Sequence, residues 1–103
     1  MEIIVAKVSE IPVGTGKKFV VKGKTIAIFN VDGKFYAIDD TCSHAEASLS
    51  EGELEGKAIV CPWHGAKFDL ESGWALTLPA VEGLKTYTVT VEGEAIKLTL
   101  KGS

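Results

Sequence analysis

Arginine and glutamine are absent from this sequence, and asparagine occurs once, at Asn30. All eleven basic residues are therefore lysine. Scarce amides beside abundant Lys and Glu are a bias shared with thermophilic proteins. Positive charge does not dominate: the formal net charge is −3, which disfavours a general nucleic-acid role. Long apolar runs are missing too. The opening Met1-Glu2-Ile3-Ile4-Val5-Ala6-Lys7 is broken by acid and base. It lacks the basic start and long apolar core of a signal peptide, and no stretch approaches membrane-spanning length. A cytoplasmic protein without membrane attachment is expected. Internal repeats and low-complexity tracts are also absent.

What is present fits one domain of 103 residues, 46% of them apolar, which is enough for a packed core. The N-terminal part reads as strands. Ile3 to Val8 forms the first, and Pro12, Gly14 and Gly16 mark a loop. Phe19-Val20-Val21 follows, and Gly23 allows a turn into Thr25 to Phe29. Asp32-Gly33 is a hairpin signal leading into Lys34 to Ile38. There Phe35 and Ala37 share one face, and Tyr36 and Ile38 the other. Ala58-Ile59-Val60 and Lys67 to Leu70 are short strands, with Gly52, Gly56, Gly65 and Gly73 as turn points. Any helix in the middle is about a turn, near Ala45 to Ser48. Thr86 to Val91 and Ala95 to Leu100 alternate cleanly around Glu92-Gly93-Glu94. Short β-branched and aromatic segments spaced by turn residues predict an all-β sandwich or barrel. The expected division is a β base, about 1–38 and 75–103, around a ligand-bearing insert, about 39–74. From Asp39 to Gly56 there are six acids and no Lys. That run is either a solvated loop or a docking face for a basic partner.

Soft metal ligands are scarce, and their placement is the strongest signal. The two Cys and two His fall in Cys42-Ser43-His44 and Cys61-Pro62-Trp63-His64-Gly65. Each segment offers one thiolate and one imidazole. A single disulfide would leave both His unexplained, and paired Cys and His in a cytosolic chain more often mean metal or catalysis. Three readings follow from the residues. Structural zinc accepts a Cys₂His₂ set. A catalytic Cys–His pair needs only one of each. A [2Fe-2S] cluster can take two Cys on one iron and two His on the other.

Cys42-Ser43-His44 with Cys61-Pro62-Trp63-His64-Gly65-Ala66-Lys67-Phe68-Asp69 closely resembles the two boxes of Rieske-type ferredoxins. The similarity continues through Leu49, Gly52, Gly73 and Pro79-Ala80. The resemblance implies a Rieske fold with one [2Fe-2S] cluster per chain. Cys42 and Cys61 would hold the inner iron, and His44 and His64 the outer iron near the surface. Such a cluster carries no net charge when oxidised. An added electron is therefore accepted more readily than by a four-Cys cluster, and the potential is higher. Respiratory relatives have a disulfide across the ligand loops, where this chain has Ala47 and Trp63. They also have Ser and Tyr hydroxyls on the cluster sulfurs, where this chain has Ala66 and Phe68. Losing both donors places the potential in the lower half of the Rieske range, roughly −150 to +300 mV. Trp63 and Trp74 are read as packing residues, and Pro79-Ala80 as closing the cluster from a third side.

The expected function is a soluble, monomeric one-electron carrier. It would take electrons from a flavoprotein reductase and pass them to a terminal oxygenase or other acceptor. No flavin or nicotinamide motif and no catalytic triad is present, so the chain is not expected to be an enzyme. Two alternatives stay open: a small Rieske subunit of a larger oxidoreductase, and a structural Cys₂His₂ zinc module for protein interaction.

Overall fold

Two-residue turns shape the first half of the chain. Lys22 and Gly23 have φ of 50° and 79°, and Asp32 and Gly33 have φ of 51° and 91°. Positive φ at both central positions matches the right-handed twist of flanking strands. The computed structural model describes residues 2–40, 48–61, 67–74, 76 and 86–99. Nine strands are found there: β1 (Glu2–Lys7), β2 (Gly16–Val21), β3 (Lys24–Val31), β4 (Lys34–Asp39), β5 (Glu53–Glu55), β6 (Ala58–Val60), β7 (Lys67–Asp69), β8 (Thr86–Glu92) and β9 (Ala95–Thr99). Two single 3-10 turns, Val8–Glu10 and Leu49–Glu51, complete the set. No helix among the described residues is long and apolar enough to cross a membrane.

All strand pairs are antiparallel. Six strands form one sheet in the order β1-β9-β8-β4-β3-β2. Its edges, β1 and β2, face each other across a groove lined by Ile3, Val5, Phe19 and Val21, so the sheet curls into a near-closed barrel. A register shift between Ile4 and Ala6 bends β1, as a bulge does. The second sheet, β5-β6-β7, is built entirely from residues 53–69.

Alternation along β3 and β4 explains how the two sheets meet. Ile26, Ile28 and Ala37 belong to the core inside the barrel, with Ile11, Ile96 and Leu98. Ala27, Phe29 and Ile38 point to the other face. They pack there against Leu49, Ile59, Cys61, Phe68 and Leu70. The central hairpin is thus a wall shared by two cores, with side chains of period two serving each. Each fully buried Leu, Ile or Phe contributes roughly 1.5–3 kcal/mol. The exposed ion pairs Lys57–Glu71 and Lys67–Glu55 contribute about 0–1 kcal/mol each. Both pairs lie within the small sheet and its turns, so among the described residues apolar packing is what holds that sheet to the barrel wall.

Several expectations change. The first strand ends at Lys7, and Val8 starts a 3-10 turn whose backbone N–H donates to the Glu94 carbonyl. Gly16 is the first residue of β2 rather than part of the loop. β5 was not expected at all. Both ends of the only Asn side chain are engaged: buried Asn30 donates Nδ2 to the Ile11 carbonyl at 2.7 Å and accepts the Gly33 N–H at 2.9 Å.

Candidate metal centre

Of the four expected ligands, Cys61 is among the described residues; Cys42, His44 and His64 lie outside them. So do Trp63, Ala66, Pro79 and Ala80, and all but the last residue of the short helical turn expected near Ala45 to Ser48. The described turn nearby is Leu49–Glu51.

Cys61 follows directly on β6 and is 1% exposed. It sits in the outer core with Leu49, Ile59, Phe68 and Leu70. The strand carries it there because Ile59 and Cys61 are two residues apart, on one face. Six residues later the chain re-enters the sheet as β7, where Lys67 pairs with Val60. The span bearing His64 therefore begins and ends on neighbouring, paired strands.

The span bearing Cys42 and His44 is closed at its base as well. It leaves from Asp40 and returns at Ser48, and the two ends are hydrogen-bonded. The Ser48 hydroxyl donates to Asp40 Oδ2 at 2.6 Å, and the Leu49 N–H donates to the Asp40 carbonyl at 2.7 Å. Leu49 then enters the core that holds Cys61.

Gly52 brings the two spans together. Its N–H donates to the Leu49 carbonyl at 3.0 Å. A Cβ built on Gly52 would lie 2.0 Å from the carbonyl oxygen of Val60, the residue before Cys61. Only glycine lets the exit of the first span lie this close to the entrance of the second. The residues that flank the two spans thus share one packed base.

A buried thiol on this base suits a soft metal centre held away from bulk water. The donor set of two thiols and two imidazoles suits the mixed ligation of a Rieske cluster. Phe68, at 0% exposure, shares the core with Cys61 and offers it no hydroxyl.

The acidic stretch divides by role. Asp39 Oδ1 accepts the Tyr87 hydroxyl at 2.6 Å, linking β4 to β8. Burial, and then this bond to a carboxylate, push the Tyr87 pKa well above its ordinary value. Asp40 is buried at 3% exposure. Glu51, Glu53 and Glu55 are exposed, and Glu55 meets Lys67 Nζ at 2.8 Å. Two of the six acids are therefore structural, which narrows any docking role to the others. The missed signal was alternation: Tyr36, Ile38 and Asp40 fall on one face, so the strand pattern itself carries Asp40 inward.

Trp74 also departs from expectation. It is 71% exposed, and Leu76 is 54% exposed. The Asp69 N–H donates to the Trp74 carbonyl at 2.9 Å and the Leu76 N–H to the Lys67 carbonyl at 2.7 Å. The segment returns along β7 with its backbone, leaving its large side chains in solvent. The turn before it is set by Asp69, whose Oδ2 accepts from the hydroxyl and N–H of Ser72. The hydroxyl bond is the main reason the Asp69 carboxyl lies below its usual pKa, with burial opposing it.

Residues 1–88 match the family model described as "Rieske [2Fe-2S] domain". The 3-phenylpropionate/cinnamic acid dioxygenase ferredoxin subunit of Photorhabdus laumondii subsp. laumondii is 48% identical over 100 residues, covering 96% of this chain and 94% of that protein. The ferredoxin of carbazole 1,9a-dioxygenase from Nocardioides aromaticivorans superposes with a TM-score of 0.92 at 32% identity, covering 98% of this chain and 99% of that one. A ferredoxin-like match in a complex of reduced oxygenase and oxidised ferredoxin, also of carbazole 1,9a-dioxygenase, has a TM-score of 0.88 at 34% identity. It covers 94% of this chain and 91% of that one.

Proposed function

Because this chain belongs to the Rieske [2Fe-2S] family, and so is a cluster-bearing electron carrier rather than an enzyme, we propose that it is the ferredoxin component of a ring-hydroxylating dioxygenase system. Cys42 and Cys61 would hold one iron of the cluster, and His44 and His64 the other. The cluster supplies reversible one-electron chemistry. The chain's residues shape where that chemistry sits. Cys61 anchors one side in the apolar core. Residues about 39–74 act as the cluster-binding insert, with the barrel, about 1–38 and 75–103, as its base.

The partners are a flavoprotein reductase and a terminal oxygenase, and the carrier works as a cytoplasmic monomer. Support for the oxygenase comes from the relatives, which are named as dioxygenase ferredoxins, and from the structure in which such a ferredoxin meets its oxygenase. The observation that carries the reading is buried Cys61, next in the chain to Val60, whose carbonyl Gly52 closely approaches.

Metal analysis of the purified protein is expected to give two irons and two acid-labile sulfides. The reduced protein should show an EPR spectrum of mixed Cys and His ligation, and His64→Ala should lose the cluster. One colourless zinc, or a spectrum of all-Cys ligation, would reject the assignment. Reduction by a separate flavoprotein and re-oxidation by an aromatic-ring oxygenase with its substrate tests the role. Failure of every such oxygenase to accept the electron would instead favour a subunit of another oxidoreductase.

A further inference from the structure

One buried carboxylate fastens together the two ends of the span that contains Cys42 and His44. Asp40 is 3% exposed. Its Oδ2 accepts the Ser48 hydroxyl at 2.6 Å, and its Oδ1 accepts the Ser50 N–H at 2.9 Å. Its backbone carbonyl accepts the Leu49 N–H at 2.7 Å, and its own N–H donates to the Thr25 carbonyl at 3.1 Å. The hydroxyls of Ser48 and Ser50 are 2.8 Å apart. Ser48 has a single hydroxyl proton and gives it to Asp40. Ser50 is therefore the donor between the two serines. Three consecutive residues on the far side of the span, Ser48 to Ser50, converge on Asp40. Asp40 is in turn tied to Thr25, near the start of β3.

This is an uneconomical way to make a core. Asp40 continues the face of Tyr36 and Ile38, where an apolar side chain would gain from burial. A carboxylate there must be desolvated, which is favourable only when its acceptors are used. Here both oxygens are used, and on one target. The geometry points to Asp40 as a positioning residue of the redox centre. Its bonds hold Asp40 against Ser48 to Ser50, the residues on either side of the stretch that contains the Cys42 and His44 ligands in sequence. This inference rests on the ligand assignment proposed above. It adds a residue that contacts no iron and acts through the span it closes.

The test uses the cluster-loaded protein and three variants. Asp40→Ala removes both side-chain acceptors. Asp40→Asn keeps one acceptor oxygen for the Ser50 N–H and sets an amide against the Ser48 hydroxyl, which can turn to accept. Ser48→Ala removes one bond and leaves Asp40 in place, so it reports even if Asp40→Ala fails to fold. Ile96→Val, in the barrel core rather than the core that holds Leu49 and Cys61, is the control for general loss of stability. Two quantities are read: the rate of iron release to excess chelator, and the line widths of the reduced EPR spectrum.

Asp40→Ala is expected to release iron about tenfold faster than the parent, the scale of one lost buried hydrogen bond to a charged group, with broadened EPR lines. Ser48→Ala should fall between it and the parent. Asp40→Asn should restore narrow lines and a rate within about threefold of the parent, and Ile96→Val should leave the lines unchanged. The inference is overturned if Asp40→Ala or Ser48→Ala keeps parental line widths. It is also overturned if Ile96→Val broadens them equally, or if Asp40→Asn behaves as Asp40→Ala does. Failure of the ligand assignment looks different: the parent itself would lack a mixed-ligand spectrum or the two irons.

Discussion

Replacing Gly52 with alanine tests whether the chain after Ser48 and the chain before Cys61 are held together by close backbone contact. Gly52 has φ of −79° and ψ of −178°, a conformation that any residue adopts, so alanine brings no torsional strain. The cost comes from contact alone. An added Cβ would stand 2.0 Å from the Val60 carbonyl oxygen and 3.2 Å from that of Leu49. Real Cβ atoms essentially never come within 3.0 Å of such a neighbour, so Val60 or Gly52 must move by about 1 Å. The movement is resisted on both sides. Val60 is paired to Glu53 and Lys67, and Gly52 is bonded to Leu49. Forcing one extra carbon into such a site costs about 1–3 kcal/mol. For a domain of this size that is a fall in Tm of roughly 4–8 °C per kcal/mol. Because the displaced carbonyl belongs to the residue before Cys61, cluster retention should fall along with stability. The assay is thermal unfolding followed by far-UV circular dichroism and by the visible absorbance of the cluster. Parental Tm and parental absorbance in Gly52→Ala would refute the close-contact argument.

Phe68→Tyr places a hydroxyl in the core that holds Cys61. If the hydroxyl reaches a cluster sulfur, about 1 kcal/mol of added stabilisation of the reduced state raises the potential by roughly 40 mV. Spectroelectrochemical titration giving the parental midpoint would reject that account of tuning. Tyr87 keeps its proton to higher pH in the folded protein than in the unfolded one, where the ordinary value is about 10. Its contribution is therefore complete below about pH 10 and is lost as pH rises from there toward the folded value. Tyr87→Phe should lower stability at pH 7 by about 1 kcal/mol and show a shallower alkaline decline in urea unfolding; parallel decline in both proteins would contradict the assignment. Trp74→Ser changes a residue 71% exposed, so stability should stay within about 0.5 kcal/mol. Phe68→Ala, at 0% exposure, should cost about 3–5 kcal/mol. Denaturant midpoints that rank the two the other way would show that the burial is misassigned.

Much of the fold was legible because its signals are local. Asp32-Gly33 sets its own turn through backbone preference. Thr86 to Val91 and Ala95 to Leu100 announce strands by alternation within a single segment. The assignment of Tyr36 and Ile38 to one face and of Phe35 and Ala37 to the other needed only period two. Both faces of that hairpin turned out to be buried, which alternation does not state. β5 was missed because three residues, Glu-Leu-Glu, are too short to signal a strand; it exists because β6 lies alongside it. Asp39 and Asp40 read as surface charge until Tyr87 and Ser48, distant or later in the chain, were seen to claim them. Trp74 read as a packing residue, yet its segment is held by backbone bonds that leave the ring outside.

The chemistry followed the same division. Residue types and spacing alone determined which four side chains could serve a cluster, because ligand softness and valence belong to the residues themselves. Only the tertiary structure decided how the two spans are brought to one place. That depends on a missing Cβ at Gly52, a buried carboxylate at Asp40 and a shared core around Cys61. Each of these is a contact between residues far apart in the chain or on opposite ends of a span, and such contacts leave no local mark in sequence.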